Sequence, residues 1–302
     1  MIDYECFFRY FARGRSTAAL LARSAVYLDL TLRGDLMART IRGFIAATTG
    51  GIFMLLMAAC ATADSGPKVA SNGDASLVLV AGATGGTGQE VVDQALARGY
   101  RVRALVRDEA KARMLFGNRV QYVVGDVREP RSLRRAVKGA DQVISALGAN
   151  VQRDPENSPE LVDYAGVKAL AEAAKAAGVS QFILVSSMGV THPDHQLNAM
   201  LDNILSWKLK GEDAVRATGI PYTIVRPGEL TNEPGGRRGV RIMQGDPVNG
   251  EGAVSRSDVA AVLVSVIGRQ DLYGKTFEIV GDHARPRIEW ASLYNDLRPD
   301  VR

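Results

Sequence analysis

The first chemical signal in the chain is the run Gly82-Ala83-Thr84-Gly85-Gly86-Thr87-Gly88, which follows a short apolar stretch and opens an amphipathic one. A strand that ends in a tight turn aims the next helix's N-terminus at an anion, where backbone N–H groups and the helix dipole bind phosphate. Side chains at Gly82, Gly85 or Gly88 would block the approach of a pyrophosphate or of the helix itself. No Gly-Lys-Ser/Thr follows, so a nucleoside triphosphate loop is not expected. A dinucleotide is the ligand that this turn fits. Arg107, followed by Asp108, stands directly after the next apolar run. An acid there would bind a ribose 2′-hydroxyl, whereas an arginine suits a 2′-phosphate, so NADP(H) is favoured over NAD(H). Gly125-Asp126-Val127 is expected to flank the adenine, and Ala146-Leu147-Gly148 to pass over the dinucleotide.

These residues need a frame. Leu77–Ala81 is short, apolar and β-branched, as expected of a strand buried on both faces. In the helix after the glycines, Val91, Val92, Ala95 and Leu96 share one face, Gly99 caps its end, and Arg101–Val106 reads as a second strand. Further strands are expected at Val120–Val124, Gln142–Ser145, Phe182–Ser186, Tyr222–Arg226 and Thr276–Val280. Helical patterns lie at 109–115, 131–138, 160–177, 198–218 and 256–268, with a last one at 289–297. Strands alternating with helices predict an α/β fold: a doubly wound parallel sheet of the Rossmann type, its ligand at the carboxyl edge. Ser186 and Ser187 end a strand at that edge, where one of them could orient a carbonyl oxygen.

Composition narrows the class. Apolar residues make up 46% and charged residues 23%, which is globular and excludes a disordered or collagen-like chain. Lys and Arg total 37 against 33 Asp and Glu, with no clustered basic face, so nucleic acid is not an expected partner. Both cysteines, Cys6 and Cys60, precede residue 75, which leaves the globular part without a disulfide framework or a zinc-cysteine site. His192-Pro-Asp-His195 has two possible ligands but no evident third, and reads as a surface loop rather than a metal site. Gly235–Gly239 reads as a lid or hairpin turn over the substrate side.

Gly82–Gly88, Arg107, Gly125-Asp126, Ser186-Ser187, Trp207-Lys208 and Tyr222–Gly228 together resemble the atypical short-chain dehydrogenase/reductase family. The likeness is to its NAD(P)H-binding branch of biliverdin reductase B-like, NmrA-like and plastid Tic62-type proteins, and it covers about residues 76–282. The resemblance implies a Rossmann core with a small C-terminal substrate-side region. It also implies an NADPH-dependent reductase of a small carbonyl or conjugated substrate, or a non-catalytic sensor or assembly factor. Relatives of the classical type use Ser, Tyr and Lys, the last two spaced Tyr-x-x-x-Lys. Tyr164-Ala-Gly-Val-Lys168 has that spacing but precedes the Ser186-Ser187 strand, whereas the catalytic pair should follow it. The position-matched stretch is Ile204-Leu-Ser-Trp-Lys208, where Lys is kept and Tyr is lost. Lys208 is therefore the expected functional side chain, on the nicotinamide ribose or a substrate carbonyl, with Ser186 and Ser187 beside it. Arg226-Pro227-Gly228 should flank the nicotinamide.

The first 75 residues have a different texture. Arg39 and Arg42 precede a run free of charge from Gly43 to Ala63, which contains Met57-Ala58-Ala59-Cys60. A basic start, an apolar stretch and a small-small-Cys ending have the form of a signal with a lipobox over 37–60; a plain membrane span is the alternative. Residues 61–75 read as a linker, and 76–302 as the NAD(P)-binding domain. Residues 1–36 sit awkwardly upstream, and Met37 reads as the natural start. Attachment to the outer side of a bacterial membrane is expected; a cytoplasmic domain is the other reading, since NADPH is a cytoplasmic metabolite. The form beginning at Met37 should therefore sediment with membranes and take up labelled palmitate, and Cys60→Ser should abolish the labelling. Soluble, unlabelled, full-length protein would refute the anchor.

Overall fold

The computed structural model describes residues 75–301, apart from 151–153, 155 and 248–251. The anchor segment 37–60 lies outside the described residues, as do the 1–36 extension and nearly all of the 61–75 linker. Five parallel strands come first in chain order: β1 (Leu77–Ala81), β2 (Arg101–Val106), β3 (Gln121–Val124), β4 (Gln142–Ser145) and β5 (Gln181–Val185). The helices between them are α1 (Gly86–Ala97), α2 (Glu109–Phe116), α3 (Pro130–Val137), a π-helical turn (Glu160–Gly166) and α4 (Val167–Ala176). Next come α5 (Gln196–Met200), α6 (Ile204–Ala217), β6 (Tyr222–Pro227), β7 (Glu229–Thr231), β8 (Gly239–Met243), β9 (Ala253–Ser255), α7 (Arg256–Ser265) and β10 (Lys275–Asp282).

The main sheet has the order β3-β2-β1-β4-β5-β6-β10-β8, parallel except for β8, which runs antiparallel to β10. Every residue of β1 is buried because each face of the sheet is covered. Val78 and Val80 enter one core with Val91 and Val92 of α1 and Val259 and Leu263 of α7. Leu79 and Ala81 enter a second core with Leu133 of α3, Leu170 of α4 and Val215 of α6. Successive strand side chains point to opposite faces, so a continuous apolar run feeds both cores. The strand order turns back between β1 and β4, which opens the crevice where doubly wound sheets hold ligands.

The C-terminal region differs from expectation in three places. The helix expected over 198–218 is two helices, broken where Asp202 (φ 50°) and Asn203 (φ 57°) take left-handed backbone. The segment 289–297 forms successive turns with three-residue hydrogen bonds, such as Asn295 N to Ser292 O, and no helix. Its helical spacing places Tyr294 and Leu297 in the α1/α7 core, a requirement that turns meet as well. Strands β7, β8 and β9 had no reading in the sequence. Each is short, and each pairs with a partner distant in the chain. The glycine-rich stretch 235–239 leads into β8.

Candidate functional site

The glycine turn is built by close backbone contact. Gly82 has φ +78°, and a Cβ on it would lie 2.4 Å from the Ala146 carbonyl oxygen. A Cβ on Gly88 would lie 2.0 Å from the Gly82 oxygen. Only glycine therefore lets β1 meet the end of β4 and lets α1 start against the turn. Gly85 stands extended at the N-cap, and no side chain caps α1 there. An anionic ligand can serve that helix start in place of a side-chain cap. Thr84 is exposed and accepts Gln89 Nε2 on its carbonyl, while Thr87 is buried. One neighbour escaped the sequence reading. Arg256, at the start of α7, lies against Gly86, so that a Cβ there would be 2.8 Å from its Cδ. Its Nη1 donates to Asn232 Oδ1 at 2.7 Å. Nothing in the glycine motif signals it, because the two segments meet only in the fold.

At the adenine-side edge, Arg107 follows β2 and is half exposed. Its Nη1 lies 2.8 Å from Asp154 Oδ2 and 3.2 Å from Asn157 Oδ1. Asp126 follows β3 and pairs with Arg128 at 2.7 Å. Burial alone would raise the Asp126 carboxyl; the hydrogen bonds and charge of Arg128 outweigh it and hold the group below the usual carboxylate range. Val127 is buried against Gly166 of the π-helical turn. Ala146 N donates to Ala81 O, so Ala146-Leu147-Gly148 crosses directly beside the glycine turn.

At the other end, Lys208 on α6 does not stand alone. Its Nζ lies 2.6 Å from Asp163 Oδ1, and the other oxygen of that buried carboxylate accepts the Ala149 N–H at 2.9 Å. One carboxylate thus ties Lys208 to the segment that crosses the crevice. Asp163 sits on the π-helical turn, and α6 comes so close there that a Cβ on Gly211 would lie 2.2 Å from the Asp163 carbonyl oxygen. The spaced pair Tyr164/Lys168 makes other contacts. Tyr164 stacks on Trp207 with ring centroids 6.0 Å apart, and Lys168, half exposed, faces Glu172 at 4.0 Å.

Ser186 is buried, and its Oγ has no hydrogen-bond partner among the described residues; Ser145, at the end of β4, is the same. Both continue the strand face that carries Val143, Phe182 and Leu184 into the α4/α6 core. Ser145 was missed because it reads as an ordinary strand residue. Ser187 Oγ donates to Met188 O. The loop beyond is clasped by Asp246, whose carboxylate accepts Gly189 N at 2.7 Å and Thr191 N at 2.8 Å. His192 Nε2 meets the Asp246 carbonyl, and His195 Nδ1 accepts Leu197 N at the start of α5. The two histidines are therefore engaged in shaping this loop.

The Arg226 guanidinium is buried, held by Glu212 of α6 at 2.6 and 2.8 Å and by Glu278 of β10 at 3.0 Å, so the side chain braces α6 against the sheet. Burial would lower its pKa, but the two glutamates raise it above the usual arginine value. Burial pushes the Glu278 carboxyl up, outweighing Arg226. Pro227 ends β6, and at Gly228 a Cβ would lie 2.2 Å from the Gly252 oxygen, so these two shape the strand end by backbone.

Residues 82–270 match a family model described as NAD(P)H-binding. The chain belongs to that NAD(P)H-binding family. Its relatives include reductases. Sanguinarine reductase of Eschscholzia californica is 32% identical over 240 residues, 67% of this chain and 88% of that protein. The NAD(P)H azoreductase of Xenophilus azovorans is 32% identical over 229 residues, 72% of each. Among solved structures, the anaerobillin reductase ChuY of Escherichia coli O157:H7 shares the fold, with a TM-score of 0.59 and 24% identity over 70% of this chain and all of that one. The glycine cradle fits the family's ligand: a Cβ would fill it at Gly82 and Gly88.

Arg226→Met is expected to lower stability at neutral pH by about 3–5 kcal/mol, because Glu278 and part of Glu212 are left buried without their cation. The loss should shrink as pH falls from the raised range of the buried Glu278 carboxyl through the ordinary carboxylate range, where protonation removes its orphaned charge. Urea unfolding across that range checks it. A loss under about 1 kcal/mol at every pH would refute the brace.

Proposed function

We propose that this NAD(P)H-binding protein is an NADPH-dependent reductase of a small carbonyl or conjugated substrate. The observation that carries the reading is the placement of the Lys208–Asp163 pair on the crossing segment Ala146–Ala149, which also packs on the glycine turn. The cofactor's phosphates and the reacting end of the crevice are thereby set from one strand edge. The names of sanguinarine reductase and NAD(P)H azoreductase support the reaction class.

Bound NADPH would supply hydride, and water a proton, to a carbonyl or conjugated double bond. The chain's part is to bind and orient. Gly82, Thr84, Gly85, Gly86, Thr87 and Gly88 receive the pyrophosphate on backbone N–H groups and the helix dipole. Arg107 takes the 2′-phosphate through charge-assisted hydrogen bonds. Asp163 holds the Lys208 ammonium in one direction, which leaves its other two N–H donors for the nicotinamide ribose or a substrate carbonyl oxygen. Ser186 and Ser187 stand at the neighbouring strand end, and the Asp246 clasp fixes the loop that follows them.

A non-catalytic dinucleotide-binding role is the second reading, favoured by Ile204 standing where the Tyr-x-x-x-Lys spacing would put a tyrosine four residues before Lys208. Two experiments separate and test these readings. Purified protein should oxidise NADPH with some member of a panel of quinones, flavins, aldehydes and azo dyes. Lys208→Ala should cut that turnover at least about tenfold, and Lys168→Ala should not. NADPH binding without oxidation across the panel would favour the second reading, and a larger loss from Lys168→Ala would overturn the role of Lys208. Arg107→Ala should weaken NADPH about tenfold or more and leave NADH almost unchanged. An unchanged NADPH/NADH affinity ratio would refute the 2′-phosphate assignment.

A further inference from the structure

The guanidinium assigned to the 2′-phosphate already carries an anion of the chain's own. Past the end of β4, Asp154, Glu156 and Asn157 lie across the ends of β2 and β3. Asp154 Oδ2 is 2.8 Å from Arg107 Nη1, and Asn157 Oδ1 is 3.2 Å from the same nitrogen. Arg128 Nη1 donates to the Glu156 carbonyl at 3.4 Å and lies 3.8 Å from its carboxylate. Local bonds set the direction of the Asp154 carboxylate. Glu156 N donates to Asp154 Oδ1 at 3.2 Å, and Asn157 N to the Asp154 carbonyl at 2.9 Å. Asn157 is buried, whereas the Arg107 and Asp154 side chains are 52% and 30% exposed. The ion pair is therefore open to exchange with a solute.

We propose that Asp154 is an internal substitute for the ribose 2′-phosphate and a determinant of dinucleotide preference. This rests on the reading of Arg107 given above. A carboxylate oxygen at 2.8 Å supplies the charge and acceptor that a phosphate oxygen would supply. A phosphate dianion brings three such oxygens, so NADPH displaces Asp154 from the guanidinium. NADH has only a hydroxyl to offer and leaves the pair in place. Asp154 thus lowers affinity for the phosphorylated dinucleotide by the stability of the ion pair that must open. An exposed pair contributes up to about 1 kcal/mol, which is about fivefold in affinity. The pair also keeps Arg107 from recruiting free anions when no dinucleotide is bound.

The test is calorimetric titration of the intact chain with NADPH, NADH, adenosine 2′,5′-bisphosphate and AMP. The last two probe the adenine end without the nicotinamide. Asp154→Asn and Asp154→Ala should each tighten NADPH and the bisphosphate about threefold to fivefold. NADH and AMP should stay within about twofold, which also shows that the variants are folded. Adding Arg107→Ala should erase the gain, because the released cation is then absent. Unchanged or weaker NADPH binding in both Asp154 variants, with Arg107→Ala still selectively weakening NADPH, would overturn this inference and leave the assignment of Arg107 standing. If Arg107→Ala has no selective effect, the assignment and the inference fall together.

Discussion

The geometry of the crevice depends on a contact between backbones. At Gly82, Gly88 and Ala146, three stretches of main chain approach so closely that a single methyl group would collide with a carbonyl oxygen. This contact sets how near α1 starts to the end of β1, and how tightly the segment after β4 crosses beside it. The Ala149 N–H of that segment is held by Asp163, and Asp163 holds Lys208. An excluded volume at one glycine is in this way transmitted to the position of an ammonium group on a distant helix.

A second constraint fixes α6 from the other side. The fork of Arg226 grips Glu212, and its remaining nitrogen takes Glu278, so helix α6 and strands β6 and β10 share one buried ion cluster. Arg216 and Asp300 extend the cluster toward solvent. Buried ions bind little more tightly than an apolar core would, but they tolerate few arrangements. α6 is thus held by charge at Glu212 and, one residue earlier, by the Gly211 contact with the π-helical turn. A π turn of this kind often marks a functional site, and here it places Asp163 where a regular helix would carry that side chain elsewhere.

The polar groups around the crevice fall into two kinds. Asp126, Asp163, Arg226 and Asp246 are engaged, each held by several hydrogen bonds that give one orientation. Ser145 and Ser186 are buried with hydroxyls that have no partner among the described residues. A buried hydroxyl without a partner is costly, and such groups gather where a ligand or water completes them. Their place at the carboxyl ends of adjacent strands agrees with the crevice of a doubly wound sheet.

Much of this was legible in the amino-acid order. Continuous β-branched runs, glycines at a strand-to-helix turn and a 3.6-residue period are local features, and they determined the seven parallel strands of the main sheet, most of the helices between them and the glycine turn. The order of Ser186-Ser187 before Lys208, together with family resemblance, was the ground for expecting Lys208 rather than Lys168 as the functional lysine. What neighbours each side chain was decided by the tertiary structure alone. Asp163 beside Lys208, Glu212 and Glu278 around Arg226, Asp154 on Arg107 and Arg256 against Gly86 are pairings between segments far apart in the chain. Sequence shows a charge but not its partner, because the partner is chosen by strand order and helix packing. The short strands β7, β8 and β9 escaped for the same reason: a ladder of three to five residues has too little period of its own, and becomes a strand only when the sheet brings its partner.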